Sequence, residues 1–164
     1  MSIWWSLHLR REAASVPLAR RFLLGTMETA GVDPDVSFDL SVALSEACAN
    51  AVEHGGHRAV LGEPGDSGYG RPAADSGQYR VTAYLDGEKC RIEVSDSGPG
   101  FPARRALRAA APTPYAEAQA ESGRGLDLIE QLSDHVQFGN RPGRGAVVSF
   151  DKVLKWREGA LLTA

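Results

Sequence analysis

The stretch from Gln78 to Asp96, QYRVTAYLDGEKCRIEVSD, constrains the fold more than any other. Two runs of alternating apolar and polar residues flank Asp86-Gly87. Alternation has period two and puts successive side chains on opposite faces of a strand. Asp-Gly between two such runs is a strong hairpin signal. The chain therefore contains an antiparallel hairpin with one half-buried face. Its second strand ends on Asp96 and runs into Ser97-Gly98-Pro99-Gly100-Phe101. Asp, Gly and Pro together make turns. They also let a backbone pass close to a ligand. The hairpin alone does not choose between these.

The rest of the chain fits around that hairpin. SIWWSLHLR near the start holds β-favouring residues and reads as an edge strand. SVPLARRFLLGTMETAG reads as a helix, with Ser15 as a cap, Pro17 in the first turn and Gly31 as the stop. Its apolar Leu18, Phe22 and Met27 do not make a perfect stripe. The clearest helix is DPDVSFDLSVALSEACANAVEHGG, capped by Asp33, with Pro34 at the first position and Gly55-Gly56 at the end. Residues 57 to 77 are rich in Gly, Pro, Asp and Ser and read as a long flexible loop. Residues 101 to 122 are rich in Ala, Pro and Arg without a clean period, and 103 to 111 suit a short helix. GRGLDLIEQLSD carries Leu126, Ile129 and Leu132 at helical spacing. HVQFGN, RPGRG and AVVSFDKVL close the chain as a second hairpin. The order β-α-α-β-β-α-β-β predicts an α+β fold, with helices on one face of a mixed, mainly antiparallel sheet.

The bulk numbers narrow the function classes. A length of 164 residues suits one domain spanning residues 1 to 164, with a core from about 3 to 153. A net charge of −3 gives no global signal for nucleic acid. Arg104, Arg105 and Arg108 cluster, which suits a phosphate, a protein partner or a solvated face. Cys48 and Cys90 lie far apart without metal-ligand spacing, as expected of reduced thiols in a cytoplasmic protein. No run approaches the ~20 apolar residues of a membrane span, and the start lacks the pattern of a signal peptide.

Three short motifs carry chemistry. On the long helix Leu40, Ala43, Leu44, Ala47 and Ala51 fall on one face. Glu46, Asn50 and His54 stand four apart on a stripe bordering that face. Glu46 can act as a base, and Asn50 can offer Mg²⁺ an oxygen. The same pattern also suits an ordinary solvated helix edge, and His54 an ordinary structural histidine. Asp96 at a strand end can accept a hydrogen bond from an exocyclic amine, with Gly98 and Gly100 admitting a flat ring. A plain loop would read the same. Gly123 and Gly125 stand before an apolar helix, whose entry offers N–H groups to a phosphate, and Arg124 can add charge. Ser122 as a simple cap is the other reading. Neither Walker A nor Rossmann spacing is present.

The order and element types of these motifs are more specific than each motif alone. Glu-x-x-x-Asn on a helix, Asp-x-Gly-x-Gly after a strand, then Gly-x-Gly-Leu opening a helix resembles the N, G1 and G2 boxes of the GHKL ATPase superfamily. That family has the Bergerat ATP-binding fold, a two-layer α/β sandwich. The chain has no room for the transducer domain of gyrase or MutL. His8, His54, His57 and His135 do not sit where a histidine kinase carries its phospho-acceptor. LSEACANAVEHG and SGRGLDLIEQLSD are similar to the free-standing bacterial anti-sigma-factor serine/threonine kinases. The resemblance implies a protein that binds ATP and Mg²⁺ and holds a sigma factor. It also implies phosphorylation of a serine or threonine on a small, STAS-like antagonist. Homodimers through the N-terminal strand and helix are common in the family, and no direct nucleic-acid or membrane contact is implied. Glu46 becomes the base, Asn50 the Mg²⁺ ligand, and Asp96, Gly98 and Gly100 the adenine side. Gly123 and Gly125 cradle phosphates with Arg124 as the facing cation, and residues 101 to 122 form the lid.

Two positions depart from the family pattern. Many members enter the last strand with Gly-Thr, where the threonine helps hold the adenine edge; here the pair is Gly145-Ala146. Some carry a basic residue two places before the first glycine of the third box; here it is Glu121. The alternative function is a nucleotide-gated binding module that sequesters a protein without transferring phosphate. Keeping both Glu46 and Asn50 favours the kinase.

Overall fold

A computed structural model describes residues 2–54, 77–96, 120–141 and 145–158. The elements run β1 (Ile3–Arg10), α1 (Ser15–Ala30), α2 (Pro34–His54), β2 (Gln78–Leu85), β3 (Lys89–Asp96), α3 (Ala120–Leu132), β4 (His135–Arg141) and β5 (Gly145–Val153). This is the expected order. The expected loop over 57–76, the short helix over 103–111 and the stop at Gly55-Gly56 lie outside the described residues.

The five described strands form one sheet in the order β1-β2-β3-β5-β4. Every pairing among them is antiparallel. β1 is an edge strand, as its sequence predicts. Alternation sets the register: Tyr79, Val81, Ala83 and Leu85 stand opposite Asp96, Val94, Ile92 and Cys90, all pointing to one face. On that face lie the three described helices, with α2 packed between α1 and α3. Leu40, Ala43, Leu44, Ala47 and Ala51 are buried against the sheet, as the stripe predicts. Each large side chain taken fully out of water there contributes about 1.5–3 kcal/mol. No described helix is long and apolar enough to cross a membrane.

The helix ends follow local chemistry. Asp33 Oδ1 accepts from the Asp35 amide at 2.9 Å, so Asp33 caps α2. Gly31 closes α1 at φ 88°, with its amide on Met27 and Glu28 carbonyls. Ser15 does not cap α1. The capping position is Ala14, with no side-chain cap bond, and the Ser15 hydroxyl donates to the Glu12 carbonyl at 2.7 Å. The buried stripe of α1 runs Ser15, Ala19, Leu23, Met27 and Ala30. Leu18 and Phe22 therefore face outward, at 55% and 47% exposure.

The Asp86-Gly87 turn forms as expected. Asp86 Oδ1 accepts from the amides of Glu88 and Lys89, each at 2.8 Å. The Lys89 amide and then the Glu88 amide hold its carboxyl below the usual range. A lowered folded-state pKa adds stability above the unfolded value and loses it as pH falls through the folded one. Asp86→Ala is expected to cost about 0.5–2 kcal/mol at neutral pH, toward the low end because the turn is wet. Urea unfolding should show that difference shrinking below about pH 4. A difference constant with pH would show that the carboxylate is not the source.

Candidate functional site

The two ends of the sheet are distinguishable, and the motifs collect at one of them. At one end the Asp96 carboxylate turns inward from β3, nearly buried at 9% exposure. Its Oδ1 accepts from the Ala146 amide at 3.2 Å. Gly145, at φ 76°, makes the left-handed entry to β5 that presents this amide. At the opposite end of β5, Lys152 Nζ donates to the Leu132 carbonyl at the end of α3, at 3.1 Å. It also lies 3.7 Å from Asp39 Oδ2 in the first half of α2.

That lysine orients both helices. The start of α2 and the end of α3 lie at the Lys152 end. The second half of α2 and the start of α3 therefore run toward the Asp96 end. Arg11 Nε, beyond the β1 end paired with Gln78, donates to the Val52 carbonyl of α2 at 3.3 Å, which confirms the direction. Glu46 and Asn50 share their stripe with Asp39, at about 100° per residue. Since Asp39 meets Lys152 beside α3, that stripe is the flank of α2 that faces α3. Glu46 and Asn50 are both half-buried there.

The geometry thus brings the first motif, Asp96 of the second and the backbone of the third toward the same end of the sheet. Gly123, Arg124 and Gly125 lie within the first two turns of α3, because the helix starts at Ala120 and not at the glycines. Ala120–Ser122, expected as the end of the lid, belong to this helix as well. Gly123 is its fourth residue, within the turn whose N–H groups lack an intrahelical acceptor. His54 ends α2 on the Glu46 stripe. Gly98, Gly100, the lid over 101–119 and Arg104, Arg105 and Arg108 lie outside the described residues.

Donor chemistry fits a nucleotide with its cation. No group of three or more His, Cys, Asp or Glu among the described residues could hold a metal ion. Mg²⁺ ordinarily keeps waters and takes one or two protein oxygens plus substrate phosphates. A single Asn50 oxygen near the α3 entry suits that mode. A carboxylate fixed by a backbone amide suits an exocyclic amine.

Sequence reasoning missed the group that braces this end. Tyr79, the second residue of β2, stands directly opposite Asp96, and its hydroxyl lies 2.6 Å from Ser15 Oγ. Burial pushes the Cys48 thiol up to about 12, and the neighbouring Tyr79 hydroxyl works against that rise. Burial, then Cys48, raises Tyr79 as well. The signal was present: a tyrosine on an inward position of an alternating strand needs a partner for its hydroxyl. Both cysteines are free and buried.

Comparison with known proteins gives the family. The model of the histidine kinase-like ATPase domain matches residues 9–152. A serine-protein kinase RsbW of Listeria monocytogenes serotype 4a is 31% identical over 136 residues, covering 81% of this chain and 77% of the relative. An anti-sigma F factor of Thermoanaerobacter sp. is 26% identical over 128 residues, covering 76% and 77%. Among solved structures, the SiaB–SiaC complex from Pseudomonas aeruginosa superposes at a TM-score of 0.53 with 17% identity, covering 91% of this chain and 89% of that one; it supports the fold alone. With its motif helix, its Asp96 strand end and the glycine-bearing first turns of α3 toward one end of the sandwich, the chain belongs to the histidine kinase-like ATPase domain family, related to the anti-sigma-factor serine kinases.

Proposed function

We propose that the protein is an ATP-dependent anti-sigma factor and serine/threonine kinase that phosphorylates a small antagonist protein. The observation that supports this reading is that the second half of α2, which carries Glu46 and Asn50, the buried Asp96 and the start of α3 all lie toward one end of the sheet. Asp96 would select adenine through its amine. The α3 entry at Gly123 and Gly125 would receive the phosphates, with Arg124 as their cation. Asn50 would hold Mg²⁺, which supplies neutralisation of charge on the transferring phosphoryl group. Glu46 would take the proton of the attacking hydroxyl. Phosphoryl transfer asks mainly for positioning and charge neutralisation, which this short set provides.

The partner reading rests on the family relation and on surface. β1 forms the sheet edge among the described strands. Leu18 and Phe22 of α1 are exposed on the helix layer, while Trp4, 65% exposed, stands with Tyr84 on the other face of the sheet. Phe22 meets Trp5 edge-on at 4.8 Å, so strand and helix present one apolar surface. A second copy of the chain would cover it, and the mass in solution by light scattering decides that.

A second reading has a specific observation in its favour. Ala146 offers Asp96 a backbone amide but no side-chain hydroxyl, which removes one hydrogen bond of about 0.5–1.5 kcal/mol from the adenine edge. A module that binds nucleotide weakly and gates a protein contact without transfer would have this feature. Incubating the protein with γ-labelled ATP, Mg²⁺ and an extract of its own cells separates the two. The kinase labels a small protein; an absence of label leaves the binding module. Asn50→Ala is expected to weaken Mg-dependent ATP binding by about tenfold and to leave metal-free binding nearly unchanged. Equal affinity in the variant and wild type, with and without Mg²⁺, would remove Asn50 from the metal site.

A further inference from the structure

Lys152 stands at a position of β5 where its neighbours are apolar. Alternation turns Ala146, Val148, Phe150 and Lys152 to the helix face, and the first three are buried. The Lys152 side chain is itself only 20% exposed. Its ammonium donates to the Leu132 carbonyl, at the end of α3, at 3.1 Å and lies 3.7 Å from Asp39 Oδ2. A cation there also meets the negative end of the α3 dipole. Burying a charge costs stability unless it is paired. An apolar side chain of similar shape often serves stability as well or better. Core stability is therefore a poor reason for a lysine here.

What the ammonium adds is direction. Apolar contact is non-directional, and the buried Ala43, Ala47 and Ala51 along α2 are small and resist axial sliding weakly. One ammonium shared by both helices fixes their antiparallel register, Asp39 against Leu132. The Asp39 side chain leans toward the start of α2, and the Leu132 carbonyl points past the end of α3, so both offsets run the same way. Glu46 stands seven residues on along α2, and Gly125 seven residues back along α3. Both therefore lie about 10 Å from the level of this contact. Asn50, eleven residues on, comes level with the backbone of Glu121, two residues or about 3 Å from Gly123. The same strand holds the other half of the site: the Ala146 amide, six residues before Lys152, donates to Asp96.

We propose that Lys152 is a positioning residue for the nucleotide site. By pinning α3 to α2 at their far ends, it sets Glu46 and Asn50 level with the glycine-bearing turns of α3. This rests on the nucleotide-site reading above. It makes a distinctive claim: the phosphate- and cation-binding half of the site depends on an ammonium about 15 Å away, and the adenine-reading half does not.

The test measures equilibrium binding of adenosine and of Mg-ATP to the wild type, Lys152→Met and Lys152→Arg, well below their melting temperatures, which are recorded in parallel. Methionine keeps much of the shape and removes charge and donor; arginine keeps both. Adenosine Kd should stay within about twofold in each variant, because Asp96 is held within the sheet. In Lys152→Met the ratio of adenosine Kd to Mg-ATP Kd should fall about tenfold, the weight of one hydrogen bond to a charged group. Lys152→Arg should keep that ratio within about threefold of wild type, since cation and donors remain. Asp39→Asn, which loosens only the α2 side, should lower the ratio by less, and it serves if Lys152→Met does not fold. A lower melting temperature with an unchanged ratio would make Lys152 a purely structural residue and overturn the proposal. Equal weakening of adenosine and Mg-ATP overturns it as well, as does an arginine variant no better than methionine. If the wild type binds both ligands and no variant alters the ratio, only this inference fails. If the wild type binds neither, the site reading fails with it.

Discussion

Replacing Glu46 by glutamine leaves Mg-ATP bound within about twofold of wild type and slows phosphoryl transfer by about 10²–10⁴-fold. The expectation follows from where the carboxylate stands. Glu46 lies on the α2 flank that faces α3, half-buried, one turn before Asn50. On the proposed reading, it is placed toward the phosphate end of a nucleotide whose base would sit on Asp96. Glutamine has the same shape and the same packing, so binding and fold are retained. What it lacks is a site basic enough to take a proton from a serine or threonine hydroxyl. Single-turnover transfer from labelled ATP, alongside equilibrium binding, separates the two quantities. A glutamine variant that transfers at the wild-type rate would exclude Glu46 as the base. One that loses ATP as well would make it a binding residue.

Asp96→Asn lowers ATP affinity by about 10- to 100-fold and erodes the preference for adenine over guanine nucleotides. Hydrogen bonds to a charged acceptor carry about 1.5–3 kcal/mol, and this one is at the buried end of a strand. The Ala146 amide already takes Asp96 Oδ1. An asparagine whose oxygen keeps that bond directs its NH₂ away from Ala146. A donor there repels the adenine amine and suits the guanine carbonyl. Competition of ATP, GTP and ITP for one site is the measurement. Unchanged selectivity would detach Asp96 from the base and undo the assignment of this end of the sandwich as a nucleotide site. Asp96→Ala is the harsher change, because it also strips the Ala146 amide of its acceptor.

Most of the fold was legible because it is written in local periodicity. Period-two alternation around Asp86-Gly87 specified the hairpin and which face it buries. Period 3.6 over residues 34 to 54 specified α2, its core stripe and the neighbouring row of Glu46 and Asn50. Asp33, Pro34 and Gly31 marked helix ends through backbone chemistry that acts over three or four residues. Where the reading slipped, a nonlocal partner had outbid the local rule. Ser15 looks like a cap, but its hydroxyl is engaged with Glu12 and Tyr79 instead. Gly123 and Gly125 look like an entry, but α3 starts three residues earlier, because glycine weakens a helix by only about 1 kcal/mol and the buried Leu126 and Ile129 anchor the turns that follow.

The sequence by itself determined the elements, their amphipathic faces and the identity of the groups able to carry chemistry, since each of these follows from spacing along one segment. Only the tertiary structure decided which groups meet. The strand order β1-β2-β3-β5-β4 sets β5 beside β3 and brings the Ala146 amide, 50 residues away, onto Asp96. Lys152 ties the far ends of α2 and α3 and so turns Glu46, Asn50 and Gly123 toward the same end of the sheet. Tyr79 finds Ser15, 64 residues away, only because α1 packs on the sheet face to which Tyr79 points. Such contacts depend on register and packing between segments distant in the chain, and no local pattern encodes them.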